Sequence, residues 1–365
     1  MTEKRPRVLF VGPMRYALPL SPGLEKKWAA IDRLLDVRIL ARGRGSDGRF
    51  ELVPSGFYSS LPLHVRRAIR DFRPHAIVAE DPRTATLVMA GRALAGGKPP
   101  VIAEVHGNWR HATRLYGSPA RRSLSPLVDA LDAYGVRRAD AVRALSGYTA
   151  GLVEEARGKP PDAVFPTYSD LSAFTTRPVQ PLPERPSALF VGVLEPYKDV
   201  DGLVEAWRRA APRVPGATLV VVGKGSRQAP VDRLVADGLA VHLPELPPDQ
   251  VSRRLDEATV LVLPSRFEGL GRVVIEAFAR GRGVVASRAG GILDLVVDGD
   301  EGLLVDLDDT DGLGDALVRA LSDRALAERL GSAAHARFPE WNQTPEQFAE
   351  RMLALVEAAI GARPL

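Results

Sequence analysis

Between Leu261 and Ser287 the chain reads LVLPSRFEGLGRVVIEAFARGRGVVAS, with two carboxylates, Glu268 and Glu276, separated by seven intervening residues. The opening apolar run predicts a strand that ends at Pro264. A loop follows with Glu268, Gly269, Leu270 and Gly271, then a helix from about Arg272 to Arg280, a stop at Gly281 and a further strand. At roughly 1.5 Å of rise per residue, Glu276 lies about 7–8 Å down the helix axis from Gly271. A diphosphate on that helix N-terminus would meet the N–H groups of Leu270, Gly271 and Arg272, and Gly271 would let the backbone come close. The two carboxylates would flank it, each able to accept hydrogen bonds from hydroxyls. Two Glu at this spacing mean nothing alone; the strand–loop–helix–strand frame gives them content.

Other chemistry-bearing residues follow predicted strands. His106 comes directly after Val101–Val105; on pattern alone a single His there is more often a capping or packing residue than a ligand-binding one. Lys198 stands where a helix is about to start, a place the helix dipole disfavours for a cation, and that favours a ligand role. Gly12, Gly192 and Gly223 each follow a candidate strand. Two further motifs carry no site. Arg42–Gly48 contains Gly43, Gly45 and Gly48 in G-x-G-x-x-G spacing, but no helical segment follows to hold a phosphate. Asp306–Asp311, DLDDTD, precedes an amphipathic helix and reads as a cap rather than a metal site. The six histidines show no metal-ligand spacing.

The elements that must position these residues are α/β throughout. Candidate strands are Val8–Val11, Val37–Leu40, Ala76–Ala79, Val101–Val105 and Ala141–Leu145. Helical stretches lie between them, among them Leu61–Phe72, Thr84–Leu94, Ala120–Val136 and Gly147–Ala156. Short, non-alternating apolar runs are how strands covered on both faces read, and their alternation with helices predicts a doubly wound parallel sheet. The rhythm breaks at 175–186, TTRPVQPLPERP, whose four prolines read as an interdomain linker. It restarts with Ala188–Val191, Thr218–Val222, Ala240–Leu243, Val260–Leu263 and Val284–Ala286. Pro345–Ile360 closes the chain as an amphipathic helix with Phe348, Met352, Leu355, Val356 and Ala359 on one stripe. The expected domains are therefore 1–175, a linker at 176–186, 187–340, and a terminal helix within 341–365.

A length of 365 residues suits two domains. The absence of cysteine excludes disulfides and thiolate metal sites. No apolar run is long enough to span a bilayer, and Val8–Val11 is too short for a signal peptide. Together these point to the cytoplasm. Residues 1–175 carry 27 Lys and Arg against 17 Asp and Glu, and the remainder 22 against 28. A basic first half suits an anionic acceptor or membrane surface, with Arg66, Arg70 and Arg73 on one predicted helix face; scattered arginine on solvated faces explains the count equally well.

The Leu261–Ser287 segment resembles the Glu-x7-Glu signature of retaining GT-B glycosyltransferases, family 4 in particular, with Leu270 where that family has Phe. The resemblance extends over nearly the whole chain. Val191–Trp207 keeps Gly192, Leu194 and Lys198 of the family's first donor-domain loop but has Val193 in place of its Arg. Val221–Ser226 is similar to the Gly-x-Gly turn near the nucleotide, and Leu243 falls in the region whose backbone contacts the base. Gly290 and Gly291 match a pair of glycines, and His106 matches a His close to the donor sugar. The paired glycines after the first strand are reduced to Gly12 and a lone Gly23.

The resemblance implies two Rossmann-like domains facing a cleft, with the last helix crossing back to the first. It implies a retaining, metal-independent transfer from a nucleotide-diphosphate sugar to an acceptor hydroxyl on a sugar, lipid-linked or small molecule. His106, Lys198 and Glu268 would be catalytic. The donor would be held by Gly12, Gly192, Lys198, Gly223, Leu243, Glu268, Gly269, Leu270, Gly271 and Glu276. No cofactor beyond the donor and no nucleic-acid partner is expected. A nucleotide-sugar 2-epimerase on the same frame, or a binding protein weakened by the change at Val193, is the alternative.

Overall fold

The computed structural model describes residues 5–110 and 125–362. The chain forms two units, Met1–Ser169 with Gln343–Leu365, and Asp170–Asn342. In the first unit the elements are β1 Arg7–Tyr16, α1 Pro22–Leu34, β2 Asp36–Gly43, β3 Phe50–Val53, α2 Phe57–Phe72 and β4 Ala76–Ala79. They continue with α3 Pro82–Ala95, β5 Val101–Val105, α4 Ser125–Arg138, β6 Ala141–Ala144, α5 Gly147–Arg157 and β7 Ala163–Val164. The seven strands pair in parallel in the order β3-β2-β1-β4-β5-β6-β7. The start of the predicted helix Ala120–Val136 lies outside the described residues.

The second unit holds α6 Ser172–Thr175, β8 Ser187–Val191, α7 Val200–Ala210, β9 Thr218–Val222, α8 Gln228–Ala236, β10 Ala240–Leu243 and α9 Pro248–Asp256. Then come β11 Val260–Leu263, α10 Arg272–Ala279, β12 Gly283–Ser287, α11 Ile292–Leu295, β13 Gly302–Val305, α12 Thr310–Ser322 and α13 Arg324–Arg337. Its six strands are also parallel, in the order β10-β9-β8-β11-β12-β13. Strands β4, β5, β6, β11 and β12 are buried at every position. That is why their sequences run apolar without alternation.

The last helix, α14 Pro345–Gly361, belongs to the first unit, as the resemblance implied. A capping box closes its start: Thr344 accepts from the Gln347 N–H, and the Gln347 side chain accepts from the Thr344 N–H. Phe348, Met352, Leu355 and Val356 share a core with Trp28, Ile31 and Phe10. Each such side chain removed from water is worth roughly 1.5–3 kcal/mol.

The Pro-rich stretch read as a linker is fastened to the second unit, and the chain passes between units at Ser169/Asp170 and at Asn342/Gln343. The cause is backbone chemistry. Proline has no N–H, so this stretch cannot join a ladder, yet its carbonyls still need donors. Arg280 and Arg282, both fully buried, supply them. Arg280 donates to the carbonyls of Phe174, Arg177 and Pro178 at 2.7–3.0 Å and to Asp256 Oδ1 at 2.8 Å. Arg282 donates to those of Gln180 and Pro181 at 3.0 and 3.1 Å. Arg280→Leu strands those carbonyls and leaves the Asp256 carboxylate with Arg177 as its remaining cation, and should lower the stability of the second unit by about 3–5 kcal/mol. Denaturant unfolding measures the loss, and limited proteolysis should show new cleavage within residues 174–183. Parent-like stability and no new cleavage would contradict this account.

Candidate functional site

In a parallel sheet the loops at the carboxyl edge part where the strand order reverses, and ligands bind in that crevice. In the second unit the reversal lies between β8 and β11, which places the loop at 192–199 beside the loop at 264–271. The first loop ends in a 3-10 turn, Pro196–Lys198, that turns Lys198 inward until it is 9% exposed. There its ammonium meets the Glu268 carboxylate in a charge-assisted hydrogen bond. The Arg266 N–H donates to the Tyr197 carbonyl at 2.8 Å, which ties the two loops directly.

Glycine lets neighbouring loops close on this pair. A Cβ on Gly290 would overlap the Glu268 carbonyl and one on Gly291 the Gly269 carbonyl, while the Gly291 N–H donates to Glu268 O at 2.9 Å. Gly223, at φ 141°, lies so close to Gly192 that a side chain there would overlap the Gly192 carbonyl. Its N–H donates to Leu243 O at 3.0 Å, and the His242 ring bonds its carbonyl at 2.8 Å. Gly192, Lys198, Gly223, Leu243 and Glu268 are thus laced together through four adjacent loops.

Gly271 adopts a left-handed conformation and caps α10. One turn in, Glu276 is 6% exposed and accepts from Arg272 Nε at 2.8 Å. Burial pushes the Glu276 carboxyl above the ordinary carboxylate value, and Arg272 partly opposes that. Val193, where the family has Arg, is exposed. Arg266 points instead to Asp199 and Asp308, at 3.2 and 2.5 Å.

In the first unit the reversal lies between β1 and β4. His106 follows β5, and its Nε2 bonds Glu104 Oε2 at 3.0 Å. Glu104 Oε1 accepts from Arg143 Nε at 2.9 Å, and Arg143 also donates to Phe165 O at 2.8 Å and Thr167 Oγ1 at 3.0 Å. Burial works to raise the Glu104 pKa, but Arg143, the hydrogen bond from His106 and the charge of Lys27 outweigh it and hold the group well below the usual range. Gly12 lies in β1, and a Cβ there would overlap the Glu80 carboxylate.

Sequence reading missed Glu80, Lys27, Glu104 and Arg143. Glu80 had a usable signal, since it is the first residue past β4. The discounted motifs behave as ordinary structure: β3, not a helix, follows Gly48, and Asp309 caps α12 by accepting from the Gly312 N–H at 2.8 Å. Among the described residues no three His, Asp or Glu gather as a metal site, and no helix is long and apolar enough to cross a membrane. Around α2, Arg67 pairs with Asp71 and Arg66 is half-buried, while Arg70 and Arg73 are exposed.

Two doubly wound units, each with polar loops gathered at a strand-order reversal, define a GT-B protein. The Glycosyl transferase 4-like domain model matches residues 12–167 and the Glycosyl transferases group 1 model residues 185–323. The chain belongs to this glycosyltransferase family. It is 38% identical over 173 residues to D-inositol 3-phosphate glycosyltransferase of Acidothermus cellulolyticus, covering 43% of this chain and 38% of the relative. It is 30% identical over 270 residues to the GDP-mannose-dependent alpha-(1-6)-phosphatidylinositol monomannoside mannosyltransferase of Mycobacterium tuberculosis, covering 67% of this chain and 66% of the relative. The chain thus spans less than two thirds of the length of these relatives. Among solved structures, sucrose-phosphate synthase of Thermosynechococcus elongatus superposes with a TM-score of 0.74 at 19% identity, covering 98% of this chain and all of that one. HepE of Anabaena, solved with UDP, gives 0.72 at 17% identity, covering 96% of this chain and all of that one.

The Glu104–Arg143 pair has a testable pH signature. Glu104→Gln leaves the buried Arg143 uncompensated and should cost about 3–5 kcal/mol at neutral pH. Because the native Glu104 pKa is depressed, its contribution is full above the ordinary carboxylate range and is lost on acidification. Denaturant titrations at several pH values should show parent and variant converging below about pH 4. A gap independent of pH would remove the ion pair as its cause.

Proposed function

We propose that this chain is a retaining glycosyltransferase that moves a sugar from a nucleotide-diphosphate donor to an acceptor hydroxyl. The observation that carries the reading is the Lys198–Glu268 pair at the second unit's strand-order reversal, beside an α10 that starts at Gly271 and holds the buried Glu276. The diphosphate sits against the first N–H groups of α10, and Lys198 adds a cation where leaving-group charge develops. Glu268 then exchanges its bond to Lys198 for hydroxyls of the donor sugar. Glu276 accepts from the ribose hydroxyls, which keep the buried carboxylate partnered when Arg272 turns away to the ligand.

The bond from the anomeric carbon to the phosphate oxygen breaks, and the bond to the acceptor oxygen forms on the same face. The acceptor proton passes to the departing phosphate oxygen, so no protein base and no metal ion is required. His106, oriented by Glu104, lies on the acceptor-binding unit and stabilises the reacting sugar. The relatives' names support the donor and acceptor classes: one is GDP-mannose-dependent, one acts on an inositol phosphate, and HepE was solved with UDP. Those names support uracil or guanine as the base of this chain's donor.

Calorimetry with UDP and GDP tests the ribose assignment. Glu276→Ala should weaken binding of whichever nucleotide binds the parent by about 10-fold or more, since each charge-assisted hydrogen bond is worth roughly 1.5–3 kcal/mol. With that nucleotide's sugars as donors, Lys198→Ala should lower turnover on the order of 100-fold. A transferred product of inverted anomeric configuration, or an epimerised donor with no transfer, would overturn the reading.

A further inference from the structure

The first unit holds two opposite charges that the transfer chemistry above does not use. Glu80 is the first residue past β4, and its N–H donates to Val11 O at 2.9 Å, one step beyond the β1–β4 ladder. It therefore stands in the crevice where this sheet reverses its order. Its carboxylate lies over Gly12, in space that any side chain at that position would fill. Lys27 approaches from α1 and is 7% exposed, with its Nζ 4.7 Å from the centre of the Trp28 ring and 5.6 Å from that of Phe348. Among the described residues neither Glu80 nor Lys27 makes a side-chain hydrogen bond or ion pair. They influence each other electrostatically without touching. Burial pushes Glu80 up and Lys27 down, each away from its charged form, and each is the leading favourable charge on the other. A half-buried carboxylate and a buried ammonium that make no ion pair with each other gain from a ligand that bridges them.

A hydroxyl is suited to that gap, because it donates to a carboxylate and accepts from an ammonium while remaining neutral. Charge balance points the same way. Arg143 is committed to Glu104, Phe165 O and Thr167, so the two carboxylates and two cations of this cluster cancel. A phosphate entering here would face the Glu80 carboxylate, while Arg143 is already engaged by its internal partners. We infer that Glu80 and Lys27 form a specificity pair for the acceptor, bridged by adjacent hydroxyls of a neutral polyol ring. The inference rests on the transferase reading. It departs from the anionic acceptor that the basic first half suggests: Arg143 is held by internal partners, and the Glu80 carboxylate repels an anion.

The test uses the full chain with UDP and GDP as nucleotide probes and, as acceptor probes, myo-inositol, methyl α-mannopyranoside and myo-inositol 1-phosphate. Binding is read by ligand-observed NMR at saturating nucleotide. The parent should bind the neutral polyols more tightly than the phosphate. Glu80→Gln and Lys27→Met should each weaken polyol binding about 10-fold or more while leaving nucleotide affinity within a factor of two. Gly12→Ala keeps Glu80 but takes the space of its carboxylate, so it should reproduce the loss; thermal melts of all three variants report folding. Polyol affinity unchanged in Glu80→Gln and Gly12→Ala overturns the inference, as does phosphate preferred by the parent or no polyol binding to it. Absence of UDP and GDP binding in the parent would instead overturn the transferase reading, which keeps the two failures distinct.

Discussion

Parallel strands put all their carboxyl ends on one edge of a sheet, and the loops leaving that edge would crowd one another if the order never reversed. In both units it reverses once, between β1 and β4 and between β8 and β11. At that seam adjacent crossover helices pack on opposite faces, so the loops part and leave backbone N–H groups and side chains facing an open crevice. Gly12 and Glu80 lie at the first reversal, and Gly192, Lys198 and Glu268 in the loops that leave the second. The polar chemistry of this protein is located by strand order before any side chain is chosen.

Side-chain choice then settles how that chemistry is held. In the second unit each carboxylate is paired with a cation, Glu268 with Lys198 and Glu276 with Arg272. Such pairs add little net stability: desolvating Lys198 and Glu268 costs about as much as their attraction returns, and Arg272 keeps most of its side chain in solvent. What they offer is exchangeability, because a polyanionic ligand with hydroxyls can replace both partnerships at once. The glycines act beside them. Gly223, Gly290 and Gly291 bring backbone against backbone at distances no side chain permits, so the loops that carry the charges support one another. In the first unit Arg143 is spent on internal partners, and that leaves Glu80 and Lys27 as the uncommitted pair.

Sequence reached the strands well and the assembled clusters poorly. Buried parallel strands announce themselves as apolar runs, and Ala76–Ala79, Val101–Val105, Thr218–Val222, Ala240–Leu243 and Val260–Leu263 have the predicted bounds. The strands left out, β3, β7 and β13, stand at the edges of their sheets, where one side of the ladder is unpaired and the apolar run is weaker or, in β7, only two residues long. Glu268 and Glu276 were readable because one continuous frame carries both. Arg143 and Glu104 were not, being 39 residues apart on neighbouring strands with buried polar side chains inside apolar runs. Lys27 had no signal, since nothing in EKKW separates a buried lysine from a solvated one. The segment 175–186 shows a different limit. Its prolines rule out helix and ladder, which reads as a linker, but donors for its carbonyls come from Arg280 and Arg282 a hundred residues later.

The same long reach governs the first unit's site. Arg143 lies over the Phe165 ring at 4.6 Å and near the Phe348 ring at 5.7 Å, while Phe348 also flanks the Lys27 ammonium. Phe348 belongs to α14, which begins after the whole second unit has been traversed. The cationic half of the first unit's site is thus walled by an aromatic ring from the end of the chain. A face of a ring attracts a cation and excludes water, which strengthens every charge interaction behind it. On this geometry α14 does more than cover an apolar stripe: it sets the dielectric in which Arg143 holds Glu104 and in which Lys27 meets Glu80. Changes in α14 that alter the ring at position 348 act on His106 and Glu80 without touching either.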